Sequence, residues 1–219
     1  MIYLPIFPLK TVLFPGTPLP LHIFEPRYRR MMNEVIHTSG LFGVALIKRG
    51  VEAMGPLPEP HNIGCAATIA NIEHLPDGRM NLLAIGEERF RILKLDQSGP
   101  FLNAWVEMMP IEDPQTLSVS RGIRGLLPWI EAYLKTLTYT VGERIEFKPL
   151  SLPTDPLPLL YFAASLLHIP LIEKQDLLES ESSAHLLKKV TRLYRREVVL
   201  LRHLVTLAEH QTEHVSRLN

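Results

Sequence analysis

The sequence predicts an α+β protein, a partly closed β-barrel with one embedded helix followed by a helical bundle, on three observations. Short apolar runs separated by turn signals fill residues 2–109; a single stretch of helical spacing, opened by Pro26, interrupts them; and beyond the Met109–Pro114 region the spacing turns helical. Taken in order, Thr11-Val12-Leu13-Phe14 and Leu19–Phe24 are extended apolar segments separated by the Pro15-Gly16 turn. Pro26 suits a first helical turn, where its missing N–H is no loss, and Tyr28, Met31, Met32, Val35 and Ile36 recur at helical spacing. Gly40 stands past the end as a left-handed cap. Leu41–Ile47 is a continuous apolar run, as expected of a strand covered on both faces. His74–Arg79 is a turn with Pro and Gly in useful places, and it leads into a strand over Met80–Leu95. Within that strand Gly86 predicts a bulge, the device by which a sheet curls toward a barrel.

Two prolines and two acidic residues in Met109–Pro114 break the strand pattern, which places a boundary between a β-rich part, 1–112, and an α-helical part, 113–219. Ile123–Leu137 is helical in spacing but contains Pro128, which should start, end or kink a helix. Asp155 is placed to cap a helix over Leu157–Leu167, His168-Ile169-Pro170 closes it, and Glu173–Leu178 forms another. A long helix then runs from about Ser183. Its stripe Leu186, Val190, Leu193, Leu200, Leu204 and Leu207, broken at Glu197, is expected to bury one face against the other helices.

Composition narrows the function. The 23 basic and 23 acidic residues cancel, and they stay balanced in each part, ten to eleven through Glu112 and thirteen to twelve after it. No global field draws nucleic acid, anionic membrane or acidic substrates. Cys65 is the sole cysteine, so an intramolecular disulfide is excluded and a reducing compartment is expected. The opening Met1-Ile2-Tyr3-Leu4-Pro5 lacks a basic leader, and no run reaches the roughly 18 apolar residues of a spanning helix. A cytoplasmic protein without a membrane segment is expected.

Catalytic chemistry is poorly represented. His210-Gln211-Thr212-Glu213-His214 fits H-x-x-E-H, and His203 shares its helical stripe, yet only five residues follow His214. A solvated helix end explains the string better than a zinc site. Lys188, Lys189, Arg192, Arg195, Arg196 and Arg202 form a cationic ridge, but aromatics for stacking bases are sparse, and Tyr194 flanks the apolar stripe. Glu87 and Glu88 are adjacent on a strand and face opposite ways unless Gly86 breaks the pleat. Cys65 lies in the small apolar run Gly64–Ala67 and reads as a packed core thiol. No metal or cofactor is expected.

Four segments carry a resemblance. FPLKTVLFPGTPLPLHIFEPRYRR (Phe7–Arg30), LFGVALI (Leu41–Ile47), IGCAATIA (Ile63–Ala70) and DGRMNLLAIGEERFRI (Asp77–Ile92), with its G-x-x-R-F-x-I exit, occur in one order. Together they resemble the Lon protease N-terminal (LON substrate-binding) domain family. DPLPLLYFAASLLHIPLIEKQDLLES (Asp155–Ser180) resembles the helical half of that domain, so the similarity covers most of Met1 to about Leu204. The resemblance implies a PUA-like barrel. Because no Gly-Lys dipeptide occurs, no phosphate-cradling loop of the ATPase kind exists in this chain, and a free-standing form without ATPase or peptidase modules is implied.

The implied function is a non-catalytic protein- or peptide-binding module, an adaptor or regulator in protein quality control. Its partners would be unfolded or extended protein segments and a separate protease. Phe14, Pro15, Leu19, Pro20 and Phe24 include more bulky groups than one strand's inward face can take, so part of this set is expected to line a groove for extended chains. Two alternatives stay open, an RNA-binding PUA-like protein and a small-molecule enzyme using an interlobe cleft.

Overall fold

The structure, a computed structural model, describes the backbone of residues 1–111, 117–141 and 152–216 and the side chains of 1–111, 118–138 and 152–207. Its contacts divide the chain into two units, Met1–Glu112 with Ala164–Ser180, and Asp113–Ala163 with Glu181–Asn219. The segment Ala164–Ser180, which the sequence places in the helical part, thus groups with the β-rich residues.

In the first unit seven strands, β1 (Ile2–Leu9), β2 (Pro18–Ile23), β3 (Leu41–Arg49), β4 (Glu59–Pro60), β5 (Ile63–His74), β6 (Met80–Asp96) and β7 (Leu102–Met108), form one mostly antiparallel sheet, with helix α1 (Pro26–Ile36) between β2 and β3. The order runs β1-β7-β6-β5-β3-β4, and β1 also pairs with β3 in parallel, so five strands form a closed circuit of pairings. Leu4, Ile6, Ala45, Ala66, Phe90, Leu102, Ala104 and Val106 make one buried cluster. Phe90 occupies so much of it that its neighbours must be small: a Cβ on Gly43 would come within 2.8 Å of the Phe90 ring, and one on Gly64 within 2.6 Å. The second cluster joins Phe7, Val44 and Cys65 to Tyr28, Met31, Met32 and Val35 of α1. Phe42–Leu46 is consequently buried at every position, as the apolar run predicts.

The expected bulge is present. Cys65 pairs with Arg89 and Ala67 with Gly86, so Glu87 and Glu88 face a single residue. Gly86 itself accepts a hydrogen bond from the Gly16 amide (2.7 Å) and donates to the Thr17 carbonyl (3.0 Å). A Cβ there would lie 2.3 Å from the Phe14 carbonyl oxygen, so only glycine allows this approach. Thr11–Phe14, expected as an extended segment, is not a strand. Val12, Leu13 and Phe14 are buried outside any strand, and Thr17 donates its amide and its hydroxyl to the Phe14 carbonyl.

Helix α4 (Leu171–Leu178) belongs to the first unit and is fastened by two side chains. Gln175 Nε2 donates to the Ile63 carbonyl (2.9 Å), and Arg89 Nη1 donates to the carbonyls of Leu178 and Ser180, each at 2.7 Å. Arg89 is only 2% exposed and forms no ion pair among the described residues. Its positive charge is met by the carbonyl end of the helix instead.

The second unit holds α2 (Leu117–Val141), most of α3 (Pro156–Leu166) and α5 (Ser183–Ser216). Pro128 lies inside α2, which continues past it. A Cβ on Gly122 would come 2.3 Å from Leu187, so α2 and α5 approach closely there. Tyr133 meets Tyr194 edge to face, and the Tyr194 hydroxyl donates to the Ala163 carbonyl. The apolar stripe of α5 is buried only at Leu186, Val190 and Leu193; Leu200, Leu204 and Leu207 are exposed. Leu204 stands five full turns after Leu186 and points the same way, so its exposure is not a matter of rotation: what covers the stripe at Leu186 does not extend to Leu204, while Tyr194 and Val198 beside the stripe are fully buried.

Candidate functional site

Strand β2 is an edge. Its only strand partner among the described residues is β6, from Pro18 opposite Ile85 to Ile23 opposite Met80. The Gly86 amide bonds the Thr17 carbonyl, so by alternation residues 19, 21 and 23 direct their backbone groups to β6, and 18, 20 and 22 direct theirs outward. Two of those three are prolines. The open edge therefore offers three carbonyls but one N–H, that of His22.

Beside this edge lies a cleft of about 280 Å³. Pro20–Phe24 form one side, Glu25 and Tyr28 the start of α1, Glu52 and Ala53 the opposite loop, and Phe7 and Leu9 complete the lining. The loop is pinned by charge. Arg27 donates to the carbonyls of Gly55 (2.9 Å) and Glu52 (3.4 Å) and pairs with Glu25 at 3.0 Å; Glu25 in turn accepts the Met54 amide, and Glu52 accepts the Lys10 amide at 2.7 Å. So held, Met54 keeps a left-handed backbone (φ 58°), unusual for a residue with a side chain, and its thioether is 90% exposed. The buried Tyr28 hydroxyl has no hydrogen-bond partner among the described residues, and burial pushes its pKa up to about 12, so it stays protonated.

A shallower hollow of about 400 Å³ shares Pro20, Leu21 and His22 on the other side of β2. Across it His22 Nδ1 lies 2.7 Å from Asn81 Oδ1, and Asn81 Nδ2 donates to Glu73 Oε2. The Asn81 amide is thereby oriented, so the His22 ring donates from Nδ1.

The five residues expected at a surface divide. Pro20 and Phe24 are exposed, Pro15 and Leu19 are half-buried, and Leu19 packs on the second core cluster. Phe14 is wholly buried. It cannot line a groove, because its segment folds inward where Gly86 lets the backbones touch. Sequence reasoning missed Glu25, Tyr28, Glu52 and Met54; only the Gly50–Pro60 run of glycines and prolines marked that loop.

Other candidates yield less. The side chains of His210, Glu213 and His214 lie outside those described, and no group of three His, Cys, Asp or Glu suited to a metal occurs among the described residues. Lys188, Arg192, Arg195, Arg196 and Arg202 are exposed along α5; Arg195 lies over the Trp129 ring and Arg196 pairs with Glu197. Tyr194, beside the apolar stripe, is fully buried. Glu87 is exposed and accepts from Thr68, while Glu88 is half-buried. Burial pushes the Cys65 thiol far up, which removes it as a nucleophile. Among the described residues no helix is long and apolar enough to cross a membrane.

Comparison with known proteins converges. Residues 3–196 match the family of the ATP-dependent protease La (LON) substrate-binding domain. The chain is 30% identical over 205 residues to Lon protease 2 of Syntrophobacter fumaroxidans, covering 88% of this chain and 24% of that protein. It is likewise 30% identical over 205 residues to Lon protease of Amoebophilus asiaticus, 89% against 22%. The chain thus spans about a quarter of the curated relatives it matches. Among solved structures, the Lon N-terminal domain protein from Xanthomonas campestris superposes with a TM-score of 0.60 at 24% identity, covering 88% of this chain and 97% of that one. The N-terminal domain of Mycobacterium avium complex Lon protease gives 0.63 at 18%, with 89% and 98% covered.

Proposed function

Because the chain belongs to the ATP-dependent protease La (LON) substrate-binding domain family, we propose that it is a non-catalytic module that binds unfolded or extended protein segments. On this reading it acts in the cytoplasm as an adaptor or regulator beside a separate protease. One observation carries the proposal: the open edge of β2 runs along a cleft, with Pro20 and Phe24 exposed beside it. An extended chain presents unpaired backbone donors and alternating side chains, and that edge offers carbonyls with an apolar hollow next to them. The closed five-strand circuit with α1 against it supports reading the first unit as a PUA-like barrel.

The test is capture of a reduced, alkylated protein that cannot refold, compared with the same protein in its native state. Selective capture of the unfolded form, weakened in a Pro20→Ser, Phe24→Ser variant that melts like the parent, supports the assignment. Equal capture by parent and variant removes β2 as the site. One observation favours the nucleic-acid alternative: Tyr3 and Trp105, ring centroids 5.0 Å apart, are both exposed on the sheet, with Lys94 opposite Trp105. RNA retention that falls with salt and is lost in Trp105→Ala would carry that reading.

A further inference from the structure

We propose that the cleft beside β2 selects a segment in which an apolar side chain is followed by a lysine or arginine. This rests on the segment-binding assignment above and adds to it a rule of selection by charge.

The lining sets apolar side chains, among them Leu9, Leu21 and Ile23, against two carboxylates, Glu25 and Glu52. Each carboxylate is engaged through one oxygen: Glu25 Oε2 holds Arg27 and the Met54 amide, and Glu52 Oε2 holds the Lys10 amide. The Oε1 atoms have no partner among the described residues. Arg27 is the cation that answers them, and it is committed, donating to two loop carbonyls with its guanidinium 4.7 Å from the Tyr28 ring centroid. Two carboxylates against one committed guanidinium leave the cleft with a net negative charge. A cation entering it gains two acceptors in a partly enclosed setting, whereas an incoming carboxylate meets repulsion.

Three further observations agree. The β2 edge is rich in acceptors and poor in donors, which suits a segment that brings N–H groups. The loop holds Met54 in a left-handed conformation with its side chain in solvent next to Ala53, so an adaptable apolar lip stands at the mouth. Tyr28, 3% exposed, lines the cleft, and its hydroxyl is a donor without an acceptor among the described residues. A backbone carbonyl of a bound segment would supply one.

The experiment uses the full chain and three fluorescent peptides that differ at one position, with Leu-Lys, Leu-norleucine or Leu-Glu at the centre, read by anisotropy at low and moderate salt. The lysine peptide should bind about tenfold tighter than the norleucine one, with the glutamate peptide weaker still, and the gap should shrink with salt. In Glu25→Gln, Glu52→Gln the lysine peptide should fall to the norleucine level. Equal affinity of the parent for all three overturns the charge rule and leaves segment binding standing. If no peptide binds while the unfolded protein is still captured, the cleft is not the site; if neither binds, the functional assignment fails as well. Tyr28→Phe separates binding from structure: weaker binding of every peptide with an unchanged or raised melting temperature supports the hydroxyl's part, and full affinity overturns it.

Discussion

Replacing Arg89 by methionine is the sharpest test of how the first unit holds α4. The substitution keeps most of the stem's apolar volume and removes the guanidinium whose Nη1 donates to the carbonyls of Leu178 and Ser180. Hydrogen bonds to a charged group contribute about 1.5–3 kcal/mol each, so two lost bonds remove roughly 3–6 kcal/mol. Against this stands a relief, since Arg89 Nε is itself buried without a partner among the described residues, and such a group costs about 1–3 kcal/mol. The net loss should centre on about 2.5 kcal/mol, which for a chain of this size lowers the midpoint by roughly 5–10 °C. The two tryptophans make the assay specific, because Trp105 lies in the first unit and Trp129 in the second. In a Trp129→Phe background, fluorescence follows the first unit alone, and hydrogen exchange reports the Glu179 and Ser180 amides, which bond Gln175 and Leu177. A midpoint within a degree of the parent with protection kept at Glu179 and Ser180 would refute the anchoring argument. A rise in midpoint would show instead that burying the charge costs more than its two bonds return.

Phe14→Ala should lower stability by about 3–5 kcal/mol in thermal unfolding, whereas Phe24→Ala should stay within about 1 kcal/mol of the parent and lower capture of unfolded protein. Gly86→Ala should reduce the midpoint more than an alanine placed at the exposed Gly16 does, since only the former drives a Cβ into the Phe14 carbonyl; equal effects would remove the close-approach argument. Asp96 is held at about 2 by the Ser98 amide first, then the Ser98 hydroxyl and the Tyr3 hydroxyl. A carboxyl depressed on folding contributes stability that is complete above its unfolded pKa, about 3.9, and is lost as pH falls toward about 2. In Tyr3→Phe its NMR titration should move up but stay below the ordinary value, because the Ser98 contacts remain; no movement would remove the Tyr3 bond from the account.

The sequence was most legible where a residue's role is local. Pro26, the spacing from Tyr28 to Ile36 and the left-handed Gly40 mark α1, and Gly86 marks the bulge, because each expresses a backbone preference at its own position. Roles that depend on distant partners were hidden. Phe14 belongs to a set of which only part is expected at the surface, and nothing assigns it to the core until Gly86, 72 positions later, is seen against its carbonyl. Arg89 looks like a strand-surface charge until α4 ends over it. The cleft needed Glu25 and Glu52 brought together by Arg27, and no spacing rule joins those positions. Leu200, Leu204 and Leu207 misled because periodicity gives the direction in which a side chain points and not how far along the helix its covering neighbours reach: Leu204 points as the buried Leu186 does, five turns on, and is exposed.

The two prolines on the outer edge of β2 bear on what this surface must avoid. A protein that meets unfolded chains repeatedly runs the hazard of becoming a template, since each captured strand can itself present a new edge. With Pro18 and Pro20 withholding their donors, a second strand can be gripped from one direction but cannot be stitched on along its length. On the proposed reading, the same pair of rings that limits how firmly the edge can hold a chain also lets the chain leave.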